Sequence, residues 1–357
     1  MAKVKEIYSE EFIERLADAL HNSASSFNSE NFYAAVYRDD WDDLEFKQRV
    51  RRLSTAMYET LPEEYEETLP ILKEVATEFQ GLSGIIFPDY VEQFGVKNWN
   101  ASMHALEHFT KFSTSEFAIR AFLMADEDKM LKKMFQWSND KNEHVRRLAS
   151  EGCRPRLPWG QSLPSFKKNP MPLIPLLMNL IRDESLYVRK SVANNLNDIT
   201  KAHPEVVINM VRNEFGKDER TDWILRHASR TLLKQANKEA LALFGYEANE
   251  LTQVRNLKLE DTNVAIGEAL TYSFQIIAKG ITKVRIEYAI DFVKKSEKRT
   301  RKIFKISETD LREGQIKTYT RSQSFQNMTT RTHYPGVHTI SILINGAEKT
   351  RCDFKVN

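Results

Sequence analysis

Apolar side chains recur at spacings of three and four up to about residue 245, with few β-branched runs, which is the period of amphipathic helices. Phe12, Leu16, Ala19 and Leu20 make one such stripe; Leu53, Met57 and Leu61 make another, halted by Pro62. After residue 250 the period shortens to two. "ALTYSFQIIA", "KVRIEYAIDFV", "KTYTRSQSF" and "HTISILIN" alternate and are rich in β-branched or aromatic residues, with turn signals at Lys279-Gly280, Pro335-Gly336 and Asn345-Gly346. Roughly seven short strands in about 105 residues predict an immunoglobulin-like β-sandwich. The expected domains are a helical one over 1–248 and an all-β one over 251–357, with the boundary near Ala248 to Leu251.

The helical part repeats loosely. "NEHVRRLASEG", "SLYVRKSVANNLNDI" and "TDWILRHASRTLL" align when Val145, Val188 and Ile224 are superposed, and "STSEFAIRAFL" joins with Thr114 in that place. The spacings of 31, 43 and 36 residues suit stacked helical pairs of the HEAT type, so the predicted fold class is α plus all-β: an α-solenoid of HEAT-like repeats followed by the sandwich. The alignment also fixes where polar residues fall. Val188, Val192, Leu196 and Ile199 form a buried stripe, whereas Lys190, Asn194 and Asp198 lie along another face. Equivalent offsets select Glu116 and Arg120, Arg147 and Glu151, then Arg226, Arg230 and Lys234, so three carboxylates stand in one column among cations. The column reads either as a site or as a solvated face with i,i+4 ion pairs.

Length and composition permit two ordinary domains with real cores, since 41% of 357 residues are hydrophobic. The beginning, "MAKVKEIYSEEF", lacks the apolar run of a signal peptide, and no stretch approaches a membrane span, so a cytoplasmic chain without a membrane partner is expected. Cys153 and Cys352 are too isolated for a metal pair or a disulfide framework and read as ordinary thiols. The net charge of +2 conceals a gradient. Residues 1–140 carry 15 basic against 26 acidic side chains, residues 141–250 carry 18 against 13, and residues 251–357 carry 19 against 11. A basic C-terminal side suggests a polyanionic partner, although drift without meaning is the alternative.

Several motifs change the picture further. "HALEH", His104 to His108, matches the H-x-x-E-H arrangement of one zinc metallopeptidase class and keeps that reading open beside an ordinary polar helix. No Gly-rich phosphate loop or G-x-S-x-G elbow is present, so nucleotide hydrolysis and serine-esterase chemistry lack support, and no nucleotide cofactor is expected. "VKKSEKRTRKIFK" concentrates Lys298, Arg299, Arg301 and Lys302 with further lysines in a hairpin-like stretch suited to a phosphate backbone, or to protecting an edge strand. "HVRRLASEGCRPRLPWG" runs from a helix into a proline-fixed loop that holds Trp159, either as a plug for an apolar gap or as a ring facing a cation.

"NEHVRRLASEGCRPRLPWG" followed by "VRKSVANNLNDITKAHP" closely resembles the AlkC-type branch of the DNA alkylation repair glycosylases, HEAT-like-repeat enzymes related to the AlkD type. The likeness is specific over about residues 80–245 and weaker before; the C-terminal sandwich resembles the immunoglobulin-like domain of a subset of that branch. Cys153 stands where a small hydroxyl residue is expected. The resemblance implies a metal-free, cofactor-free monofunctional glycosylase that acts as a monomer. It removes N-alkylated bases, chiefly 3-methyladenine and also 3-methylcytosine, from duplex DNA, without deep base flipping and leaving an abasic site. By motif, Glu116, Glu151, Trp159 and Asp198 carry over as the catalytic set, with Asp198 first. Arg147, Arg154, Arg156, Lys190, Asn194, Arg226 and Arg230 would then grip DNA beside them. A non-catalytic HEAT-repeat DNA-binding protein remains the alternative, ahead of the H-x-x-E-H metallopeptidase.

Overall fold

The computed structural model describes residues 4–38, 40–247, 250–328 and 331–357. Among these the chain runs through α-helices from Glu10–Ser23 to Lys238–Leu243 and then through eight strands, one more than the alternating segments suggested. The helical stripes read from the sequence are core. Phe12, Leu16, Ala19 and Leu20 are buried, as are Leu53, Met57 and Leu61, and so are Val188, Val192, Leu196 and Ile199. The side chains of Ser9, Asn142 and Ser185 cap the helices that follow them, satisfying amide groups that would otherwise lack a partner. No helix of the described residues is long and apolar enough to cross a membrane.

The chain divides into two compact units, Met1–His203 with Glu214–Ala228, and Pro204–Asn213 with Ser229–Asn357. In the first, helix Leu186–Ile199 packs against both Glu143–Gly152 and Glu219–Ala228, so the three aligned segments are neighbours as a solenoid requires. The fourth segment differs. Residues 113–118 form a turn, and helix begins only at Ile119, because the hydroxyls of Thr114 and Ser115 bond to Glu116 and to the Leu106 carbonyl.

In the second unit the strands are β1 (Thr252–Leu259), β2 (Asn263–Val264), β3 (Ala269–Ala278), β4 (Thr282–Val293), β5 (Arg299–Leu311), β6 (Ile316–Ser324), β7 (Gly336–Ile344) and β8 (Ala347–Val356). They form two sheets, β1-β3-β6 and β2-β8-β7-β4-β5. Alternation along β3 buries Leu270, Tyr272, Phe274 and Ile276 in a core shared with Ile286, Ile290, Ile340, Ile342 and Phe354. Asn345 and Gly346 both have positive φ, the requirement of the tight turn joining β7 to β8.

The unit also includes more helix than the 251 boundary allows. Ala248 lies outside the described residues, but helices Arg230–Lys234 and Lys238–Leu243 belong with the sheets. Lys283 donates to the Phe244 carbonyl, Asn345 donates to the Glu247 carbonyl, and Gly346 sits against Ala236 and Leu241 so closely that a Cβ there would lie 2.7 Å from Ala236. Ala289 and Leu343 are buried although neither belongs to the sandwich core. A fragment covering 204–357 should therefore be more stable than one covering 251–357 by at least about 2 kcal/mol, the scale of burying one large apolar side chain. Denaturant unfolding measures this, and equal stabilities would show that the helical segment adds nothing.

Candidate active site

The carboxylates of the predicted column are buried, and two arginines join them into a ladder. Asp198, at the end of helix Leu186–Ile199, accepts from Arg154 Nε at 3.0 Å. Arg154 Nη1 lies 2.6 Å from Glu151 Oε1, Arg147 Nη2 lies 3.7 Å from the same oxygen, and Arg147 Nη1 reaches Glu116 Oε2 at 2.5 Å. Thr114 Oγ1 donates to Glu116 and accepts from Arg147 at the far end. The sequence permits this locally because Arg147 and Glu151 stand one helical turn apart and Glu151 and Arg154 lie three apart across the helix end. The neighbouring helices are also tied by polar contacts. Ser150 and Ser191 share a hydrogen bond of 2.6 Å, and Asn195 donates to the Ser150 carbonyl at 2.8 Å.

Burial gives the ladder its electrostatics. Loss of water pulls the Arg154 guanidinium down, but Glu151 and Asp198 more than offset this and leave its pKa above the ordinary value. Arg147 is raised in the same way, with Glu116 and Glu151 opposing desolvation. The family resemblance implies that both residues grip DNA. In the structure each guanidinium is instead turned inward and paired with two carboxylates, so neither presents a surface cation.

Arg120, reached by the same column, is fully buried rather than on the solvent face. It donates to the carbonyls of Gly152 at 2.8 Å, Arg154 at 3.0 Å and Gln161 at 2.5 Å, which pins both ends of the loop 152–161. Burial lowers its pKa to about 10. On that loop Trp159 is 63% exposed and has φ +62°, a left-handed conformation costly for a bulky residue, at roughly 1–3 kcal/mol. Its ring rests at a tilt against Phe46, 5.7 Å between centroids. A tryptophan filling an apolar gap would be buried; this one is held outward. Cys153 is wholly buried, its thiol pushed up to about 12 by desolvation, and both cysteines are free.

The other positions expected at the site are dispersed in role. Arg156 and Lys190 are exposed, and Asn194 is half-buried. Arg226 lies over the Phe215 ring, 5.8 Å from its centroid. The row Arg226, Arg230 and Lys234 does not run along one helix, because helix Glu219–Ala228 ends before Ser229 and Arg230 belongs to the other compact unit. In the basic hairpin, Lys298 is exposed, Arg299 donates to Thr339, and Arg301 is paired with Glu348 at 2.5 Å and faces Asp291 at 3.8 Å. Lys302 is lowered by burial and by the nearby charges of Arg331 and Lys294. The H-x-x-E-H side chains serve separate ends: Glu107 accepts from the Trp137 indole at 2.8 Å, His108 bonds to the Lys73 carbonyl at 2.9 Å, and His104 is exposed. That arrangement removes the metallopeptidase reading. Sequence reasoning missed Lys201, whose ammonium lies 2.9 Å from Asp198 Oδ1, although its position three residues after Asp198 was a usable signal.

A family described as DNA alkylation repair enzyme matches residues 46–232, and one described as the C-terminal Ig-like domain of uncharacterised protein YhaZ matches residues 253–357. The uncharacterized protein YhaZ of Bacillus subtilis (strain 168) is 52% identical over 356 residues, covering the whole of both chains. The structure of the Pseudomonas fluorescens alkylpurine DNA glycosylase AlkC, bound to DNA containing an abasic site analog, superposes with a TM-score of 0.97 at 37% identity, again over the whole of both chains.

Removing Arg154 should expose the cost of the buried charges. Arg154→Met leaves Asp198 and Glu151 without their shared partner and should destabilise the protein by about 3–5 kcal/mol, as breaking one side of a buried pair does. Adding Asp198→Asn should recover part of that loss. Thermal or denaturant unfolding of the single and double variants reads both effects, and an Arg154→Met protein as stable as the original would show that its buried pairs contribute no net stability.

Proposed function

Because the chain belongs to the DNA alkylation repair enzyme family, we propose that it is a monofunctional glycosylase. Its substrates would be cationic alkylated bases in duplex DNA, 3-methyladenine and also 3-methylcytosine, whose N-glycosidic bond it hydrolyses to leave an abasic site. The buried ladder Asp198–Arg154–Glu151–Arg147–Glu116 carries this reading. A base that already bears a positive charge departs neutral, so no protonating acid is needed. What remains is to stabilise the positive charge that develops on the sugar and to position water, and carboxylates held out of bulk solvent are suited to both. Asp198 takes the first role, with Glu116 and Glu151 supporting the field.

Trp159 fits as the ring that meets the cationic base or its deoxyribose, since its indole is presented outward on a pinned loop. Such a ring serves a lesion that stays near the duplex, in keeping with a mechanism without deep base flipping. Arg156, Lys190, Asn194, Arg226 and Arg230 are the DNA contacts of the helical part, and Lys298, Arg299, Arg301 and Lys302 those of the β-sandwich. In this reading the protein works in the cytoplasm as a monomer and needs no metal or nucleotide. The solved structure of AlkC with DNA containing an abasic site analog supports DNA as the partner.

The purified protein, incubated with methylated duplex DNA, should release 3-methyladenine, detected by chromatography of the freed bases. Asp198→Asn should slow single-turnover excision by about two orders of magnitude or more while duplex affinity changes only a few-fold, the pattern of a group acting on the transition state. Asp198→Asn protein that excises at the original rate would leave a DNA-binding protein whose ladder is structural. Trp159→Ala should slow excision by roughly two- to thirtyfold, matching a cation–π contact of about 0.5–2 kcal/mol, without loosening undamaged DNA. Equal rates would show that the exposed ring makes no contact with the lesion.

A further inference from the structure

Asp198 is held by two cations of different character. Its Oδ2 accepts from Arg154, whose side chain is 9% exposed and which is fixed on its other side by Glu151. Its Oδ1 accepts from Lys201 at 2.9 Å. Lys201 follows the end of helix Leu186–Ile199, and its side chain is 41% exposed against 2% for Asp198. A lysine ammonium is a compact charge on a flexible stem, and a half-exposed pair is weak, so Lys201 can leave where Arg154 cannot.

We propose that Lys201 is a placeholder for the positive charge of the substrate, occupying Asp198 Oδ1 until a ligand that brings its own cation displaces it. The inference rests on the reading of Asp198 as the carboxylate that meets the sugar or base cation. An undamaged nucleotide offers a neutral base and an anionic phosphate. Neither can replace the ammonium without leaving a buried carboxylate half-compensated, and uncompensated buried charge is costly. A cationic alkylated nucleotide can make the exchange, and the released ammonium gains the phosphates of the bound duplex. Lys201 then tempers the discrimination that Asp198 provides, because a cationic nucleotide must displace the ammonium whereas a neutral one binds with it in place. Its presence also keeps Asp198 paired while the protein is free, so the carboxylate is preformed and oriented by Arg154 before DNA arrives.

The test compares affinities of the full-length protein for two duplexes that differ only in the central sugar analogue: a pyrrolidine, cationic at neutral pH, and a neutral tetrahydrofuran. General phosphate contacts cancel in the ratio of the two. Lys201→Gln should raise the preference for the cationic duplex by about two- to fivefold, the worth of a weak ion pair. Lys201→Arg, which keeps the competing charge, should hold the preference at or below its original value, and Asp198→Asn should abolish it. Unfolding temperatures measured alongside separate a structural role, which would lower stability without moving the ratio. An unchanged or reduced preference in folded Lys201→Gln overturns the placeholder while the catalytic reading of Asp198 stands, provided Asp198→Asn abolishes the preference. A preference that survives Asp198→Asn overturns both.

Discussion

The helical unit is organised around alternating buried charge. Three carboxylates that lie far apart in sequence would repel one another if brought together alone, and a single isolated carboxylate in such a place would cost several kcal/mol, on the order quoted for charges removed from water. Arg147 and Arg154 make the assembly possible by standing between them, each shared by two acids. The cost of this arrangement is that neither arginine is left for the surface. Its return is a set of carboxylates fixed in place where water is largely withdrawn, since the side chains of Glu116, Glu151 and Asp198 are between 2 and 11% exposed. In the proposed glycosylase reaction, electrostatic stabilisation of a developing cation would depend on that fixity, because groups already oriented need not reorganise.

The same segment supplies the ring as well as the charges. Helix Glu143–Gly152 carries Arg147 and Glu151, and the loop that follows carries Arg154 and Trp159. Arg120 makes the loop an extension of the packed interior by holding carbonyls at its two ends. Strain at Trp159 is sustained by that anchoring, as an unfavourable backbone angle persists only where its surroundings determine it. Arg120 thus bonds to the backbone of the residue whose side chain holds Asp198.

The β unit shows a different balance. Its sandwich core follows from simple alternation, but β4 is buried on both faces for part of its length, and on its outer side Arg285 is paired with Glu287 and Glu308. Burial raises the Glu287 carboxyl, and the Arg285 guanidinium works against that shift. The helical segments after Ser229 belong to this unit, although their 3.6-residue period marked them in the sequence as the end of the solenoid. Period identifies the type of an element and carries no information about the body on which it packs.

The sequence by itself determined the two kinds of architecture, the buried stripes and the positions of the carboxylate column. Each of these follows from a period, and a period survives in one dimension. Asp198 and Glu151 were found because equivalent helical offsets point to one surface, whereas Glu116, selected by the same offset, stands in a turn before its helix. Tertiary structure decided what those groups do to one another. Arg147 and Arg154 read as surface cations until packing turned them inward, and Arg120 read as one more exposed charge until it proved to hold the loop of Trp159. The physical reason is that a charged side chain has the same pattern whether it meets water or an opposite charge; only the carboxylates brought from 31 and 44 residues away distinguish the two.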